Sequence, residues 1–166
     1  MTFAEKMKKR IIYQQLCRPY EFISPFGGES FALCLHISDH TLTGDEQAKL
    51  SADIVRQGCR YAVCAGYKCS SWDDSVDMAD LERNNWEVRD DTFVMTTWHE
   101  NESIEDIVFF FLNNTSFDNW IPDIFLVLVL GDERATLDLI RNEINRQDIE
   151  QAGPGCPPQG VGSPDP

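Results

Sequence analysis

The sequence predicts an α/β fold of three layers, a mostly parallel sheet of four or five strands with helices on both faces. Two observations carry this. Four short, almost wholly apolar runs recur along the chain, and continuous apolar runs of this length mark strands buried on both faces. Between them lie amphipathic segments of helical period. Strand followed by helix, four times over, is the order of a layered sheet with right-handed crossovers.

Taken in order, residues 2–16 read as an N-terminal helix, because Phe3, Met7 and Ile11 recur at i+4 with lysines on other faces. An irregular stretch follows through Pro19, Pro25, Gly27 and Gly28, in which Tyr20 to Ile23 has the character of a short edge strand. The four apolar runs are Phe31 to Ile37, Tyr61 to Ala65, Phe93 to Trp98 and Ile124 to Leu130. Helical stripes fill the intervals. Asp45 to Cys59 aligns Ala48, Ala52, Val55 and Cys59, and Trp72 to Asn84 aligns Trp72, Val76 and Ala79. Ser103 to Asn114 carries Ile104, Ile107, Val108, Phe111 and Leu112 on one face, the strongest such pattern in the chain. Glu133 to Gln147 aligns Leu137, Ile140 and Ile144. Thr43, Ser71 and Ser103 each precede an acid by three residues at an expected helix start, the spacing of a capping box.

Ala152 to Pro166 holds four glycines and five prolines and almost nothing to bury, so it reads as a disordered tail. The expected organisation is one domain over residues 1–151, with the N-terminal helix within 1–19, core repeats over 31–148, and the tail at 152–166.

Charge narrows the function. Fourteen Lys and Arg against 28 Asp and Glu give −14 over 166 residues, which argues against nucleic acid, since a polyanion is repelled. The longest apolar run, Ile124 to Leu130, has seven residues and is too short to span a bilayer. No signal peptide is evident, because no apolar stretch follows the N-terminal lysines. A cytoplasmic location with reduced cysteines is the expectation. The six cysteines include the spacing C-x4-C-x4-C at Cys59, Cys64 and Cys69, which is not a zinc pattern. Cys34 and Cys64 fall inside expected buried strands, where cysteine acts as a small hydrophobe.

In an open parallel sheet, ligands bind beyond the carboxyl ends of the strands, where strand order reverses. Either a flavodoxin-like or a Rossmann-like layout places Ser38, Asp39 and His40 at that crevice. The other strand ends offer Gly66 to Ser70, Trp98 to Glu100 and Gly131 to Glu133. The first strand-to-helix turn, SDHTLTGDEQ, has one glycine, so it lacks the glycines that let backbone approach a pyrophosphate. There is no G-x-x-x-x-G-K-[ST] loop either. NAD, FAD and ATP bound in the usual way are therefore not expected, FMN remains open, and no cofactor is assigned. A phosphorelay receiver is rejected, because Asp39 stands alone after the first core strand and the third ends in Trp98-His99-Glu100.

Three chemistries compete. Cys69 with His99 or His40 and an acid such as Asp39 or Glu100 would make a nucleophilic site, but no local motif supports it. His40, His99 and Asp39 are the ligand types of an iron or zinc site, though any polar loop face supplies such a set, and no metal is assigned. His36 reads as a hydrogen-bonded histidine of the core strand. The third is docking. Ser70 to Asp106 carries twelve acids and two arginines, and Trp72, Asp73, Asp77, Asp80 and Trp86 would form an acidic, aromatic face for a basic protein partner. The sequence favours such an interaction module, immunity-, adaptor- or regulator-like. The alternative is a small enzyme or ligand binder using Asp39, His40, Cys69 and His99.

Overall fold

The computed structural model describes residues 9–152. Nine elements follow one another: β1 (Arg10–Leu16), β2 (Phe31–Ile37), α1 (Gly44–Arg56), β3 (Cys59–Gly66), α2 (Cys69–Arg83), β4 (Met95–His99), α3 (Ile104–Asn113), β5 (Ile124–Leu130) and α4 (Arg134–Ala152). The sheet has five strands in the order β1-β5-β2-β3-β4, and every pair is parallel. The α/β expectation is met, with β5 and β2 buried at the centre as their almost wholly apolar sequences require.

Each face of the sheet has its own core. Leu33, Leu35 and Cys64 face α1 and α2, where they meet Leu50, Ile54, Trp72 and Val76. Cys34, Val63 and Val127 face α3 and α4, where they meet Val108, Phe111, Leu137 and Ile140.

The N-terminal helix is a correction. Arg10–Leu16 is an edge strand whose residues pair in register with Ile124–Leu130. Its sequence, RIIYQQL, is rich in β-branched and aromatic side chains, and it alternates. Ile12 and Leu16 pack against one core, Ile11 and Tyr13 against the other. Period 2 set by the sheet prevails over the i+4 spacing. The earlier residues of that expected helix, and the Pro/Gly-rich tail from 153 onward, lie outside the described residues. Tyr20 to Ile23 is not a strand. Tyr20, Phe22 and Phe26 are buried instead, closing the core beneath α1.

Two of the three expected caps form. Thr43 and Glu46 make a reciprocal capping box at α1, and Ser103 accepts from the Asp106 N–H at α3. Ser71 does not cap. α2 begins earlier, after Lys68 in the left-handed region (φ 49°), and has no side-chain cap. Ser71 lies within its first turn and donates to the Lys68 carbonyl at 2.8 Å.

Candidate functional site

Strand order reverses between β2 and β5, so the expected crevice lies at the ends of these two strands. It is closed. The N–H groups of Ser38 and Asp39 both donate to the Leu130 carbonyl, at 2.8 and 2.9 Å. Gly131, at φ +118°, lies so close that a Cβ there would sit 2.9 Å from the Asp39 nitrogen. The β1 end joins this seam, since Gly131 N–H donates to Leu16 and Gln15 Nε2 donates to the Gly131 carbonyl.

The opening falls one strand over. A cleft of about 290 Å³ lies between the ends of β2 and β3 and the first turns of α1 and α2, lined among others by Asp39, His40, Gln47, Tyr67, Lys68 and Ser71. Its floor includes Ile37 and Trp72. The chain turns sharply into it at Gly66 (φ +86°), where a Cβ would strike the Ile37 carbonyl. The Tyr67 N–H then donates to that same carbonyl at 2.9 Å.

Asp39 is fixed from three sides. Its Oδ1 accepts from the Thr41 hydroxyl at 2.6 Å and the Thr41 N–H at 2.8 Å, its Oδ2 accepts from the Tyr20 hydroxyl, and Arg18 stands 3.8 Å away. Hydrogen bonds from Thr41, then from Tyr20, hold its carboxyl down to about 2. Burial and the same Asp39 bond push the Tyr20 phenol up. Arg18 bridges onward to Glu46 at 2.7 Å, so the cation is shared between the strand-end loop and the start of α1.

Exposed His40 stacks on Tyr67 with ring centroids 4.0 Å apart and planes 14° from parallel. The Lys68 ammonium lies 5.3 Å from the same Tyr67 ring. Gln47 of α1 donates to Ser71 of α2 at 3.2 Å, tying the two helix starts together.

The other sequence candidates do not join this cleft. The His99 imidazole is buried on the opposite face of the sheet against Phe110, at 4.6 Å. Both ring nitrogens are committed, Nε2 to the Thr97 hydroxyl at 3.0 Å and Nδ1 to Glu102. Only the His99 main-chain N–H reaches Cys69. Cys69 itself is buried, and burial pushes its thiol up, against the N–H groups around it. A thiol without a free imidazole and with a raised pKa is a poor nucleophile. Nor do Asp39, His40 and His99 converge on a metal; among the described residues no group of three or more His, Cys, Asp or Glu is arranged to hold one. His36 is a half-buried strand histidine whose Nδ1 lies 3.3 Å from the Ser38 hydroxyl. Burial lowers its pKa.

The acidic aromatic face is also corrected. Trp72, Asp73 and Asp80 are buried. The i, i+4, i+7 stripe of Asp73, Asp77 and Asp80 faces β4 and the loop that enters it, not solvent. Asp80 accepts from Arg83 at 2.7 Å, from Asn84 at 3.2 Å and from the Val94 N–H at 3.2 Å. Asp77 accepts from the Thr96 hydroxyl at 2.8 Å. Asp73 leaves Oδ1 without a hydrogen-bond partner. The carboxyls of Asp73 and Asp77 are both pushed up by burial. Of the five residues in the expected face, Trp86 is the one that is largely exposed.

Sequence reasoning placed Tyr67 and Lys68 at a polar strand end but gave them no role, and it passed over Gln47. Their signal was the run Gly66-Tyr67-Lys68 at a strand end, an aromatic ring and a cation in a tight turn facing the start of the preceding helix.

A fold of this kind, with its polar cleft beyond the carboxyl ends of parallel strands, is a common ligand-binding framework. The model of one protein family, a domain of unknown function (DUF7684), matches residues 11–147, and the chain belongs to that family. No curated protein matches the chain.

Proposed function

We propose that the protein is a small-ligand binder whose site is the cleft between β2 and β3, and that its ligand carries an anionic group, a carboxylate or a phosphate. The carrying observation is the electrostatic arrangement of that cleft. The start of α2, which has no side-chain cap and no acid in its first turn, adjoins it, and helix N-termini favour anions. Lys68 and His40 add donors. The one carboxylate among its lining residues, Asp39, is already satisfied by Thr41, Tyr20 and Arg18. The net charge of −14 opposes anions in general, so affinity here depends on this local arrangement. The stacked His40 and Tyr67 rings supply a flat wall for the rest of a small molecule. With Cys69 buried, this reading is of binding, without covalent chemistry at that thiol.

The test is thermal melting and NMR of the full chain with inorganic phosphate, phosphate monoesters and small mono- and dicarboxylates, at matched ionic strength. The expected result is a rise in Tm with some of these anions, together with shifts at His40, Tyr67 and Lys68. Lys68→Ala and His40→Ala should each weaken binding by about tenfold, the loss of one hydrogen bond to a charged ligand group. No anion-specific effect at millimolar concentration, or wild-type affinity in both variants, overturns the reading.

A further inference from the structure

On the far face of the sheet from this cleft, α3 and α4 leave between them a groove of about 260 Å³. It is lined by Glu105, Asp106 and Phe109 of α3 and by Arg146, Gln147 and Glu150 of α4. We propose that this groove receives a basic segment of a partner protein, one arginine or lysine side chain entering the groove itself.

Three observations support this occupant. The first is charge. Among the described residues, Glu105, Asp106 and Glu150 line the groove and Glu143 adjoins it through Arg146, whose guanidinium is the one cation lining it. That guanidinium is already divided among Glu143, Glu150 at 2.7 Å and Glu105 at 3.4 Å. The groove therefore keeps a negative excess that its own cation does not cancel, which repels a second copy of this acidic chain and attracts a cation. The second is an unmet acceptor. Gln147 is 6% exposed and donates through Nε2 to the Glu105 carbonyl at 3.0 Å and to Glu143 at 2.9 Å. Because both neighbours are acceptors, the amide orientation is fixed, and Gln147 Oε1 has no partner. A buried amide oxygen without a donor is unfavourable, and because Gln147 lines the groove, an N–H entering there meets it after a small shift of the amide. The third is the wall. Phe109 is 55% exposed on the α3 side, and its ring suits the aliphatic stem of a long cationic side chain. A groove of this volume holds one side chain, so the remaining contacts fall on the exposed carboxylates at its rim.

The experiment is a titration of the isotope-labelled full chain with a blocked hexapeptide of alternating leucine and arginine. The same peptide with glutamine in place of arginine is the comparison. The expected result is shifts at the Gln147 side-chain amide, the Phe109 ring and Glu105 with the arginine peptide, weakening as salt is raised. The glutamine peptide should bind at least about tenfold more weakly. Glu150→Gln and Asp106→Gln, both on exposed positions, should each reduce the arginine-peptide affinity several-fold and flatten its salt dependence. Shifts confined to other surfaces, equal binding of the two peptides, or unchanged affinity in both variants overturns the proposal. These outcomes are independent of the cleft between β2 and β3, whose His40 and Lys68 signals report separately.

Discussion

The main-chain N–H of Asp39 donates to the carbonyl of Leu130 at 2.9 Å, and with Ser38 on the same acceptor it closes the sheet where strand order reverses. In open sheets this point is ordinarily a crevice. Here it is a seam, and the polar cleft is displaced to the gap between β2 and β3. The seam also fixes the backbone of Asp39, from which the adjacent loop through His40 and Thr41 is hung.

The seam requires Gly131. Its φ of +118° is a conformation that side chains disfavour, and a Cβ would press on the Asp39 main chain. Gly131→Ala is expected to cost about 2 kcal/mol or more and to shift the Asp39 and Thr41 amide resonances. Gly44→Ala, at a glycine with ordinary φ and open space around its would-be Cβ, should change stability by less than about 0.5 kcal/mol. Thermal melts of the two variants side by side check this. An equal, small effect of both would mean that the seam is not under close contact.

Asp39 makes stability depend on acid. Its folded pKa of about 2 lies below the ordinary carboxylate value, so the folded chain binds that proton less readily than the unfolded chain. The contribution is therefore fully present above about pH 4 and lost as pH falls toward about pH 2. Asp39→Asn should lower Tm at neutral pH, and the difference from wild type should shrink across that window. A constant difference from pH 7 to pH 2 would show that the lost stability is not the carboxylate's.

The central strands were legible because Phe31–Ile37 and Ile124–Leu130 are buried on both faces, and His36 near the end of the first is the one polar side chain in either. α3 was legible for the complementary reason, an apolar stripe on one face and acids at its start. β1 was not, because an edge strand is only half-buried. Gln14 and Gln15 break its apolar run, and the partner that gives Ile11 and Ile12 their opposite faces is more than a hundred residues away. The carboxylates of α2 failed differently. Their spacing was read correctly as one face, but whether a face meets water or protein depends on what lies opposite. That is Thr96 and the Val94 N–H, donors with no local signature. The cleft was half legible. Asp39, His40, Tyr67 and Lys68 follow from the strand-end rule, whereas their meeting in one cleft depends on Gly66 turning the chain back over β2.

Thiol reactivity separates the cysteines by burial. Cys34, Cys59, Cys64 and Cys69 are buried, while Cys17 is exposed. Burial pushes the Cys34 and Cys59 thiols up to about 12. In a chain carrying Cys156→Ser, one thiol, Cys17, should react rapidly with a maleimide near neutral pH, and the other four only on unfolding. Mass spectrometry of the labelled peptides reads this directly. Rapid labelling of Cys69 in the folded chain would restore the nucleophile reading that its burial now argues against.

Asp73 provides the opposite pH signature to Asp39. It is 6% exposed, Oδ1 has no hydrogen-bond partner, and burial pushes its carboxyl up. The folded chain thus holds this proton more tightly than the unfolded chain. Stability from this group is greatest below the ordinary carboxylate range and falls as pH rises through the raised folded value. At neutral pH the buried carboxylate is a burden, increased by the neighbouring Asp74, and it adds in turn to the burial that pushes the Asp77 carboxyl up. Asp73→Asn removes that charge at nearly constant volume, and the amide of the replacement can donate toward Asp77. The variant should melt higher than wild type at pH 7, by about 2–4 °C for each ~1 kcal/mol relieved. The gain should disappear below about pH 4, where the wild-type carboxyl is protonated in both states. Because the Asp73 charge contributes to raising the Asp77 carboxyl, Asp73→Asn should also bring that carboxyl down toward its ordinary value, visible in its side-chain carbon shift. A lower Tm at pH 7, with Asp77 unmoved, would mean that the Asp73 charge is satisfied and that this helix face is held together by it.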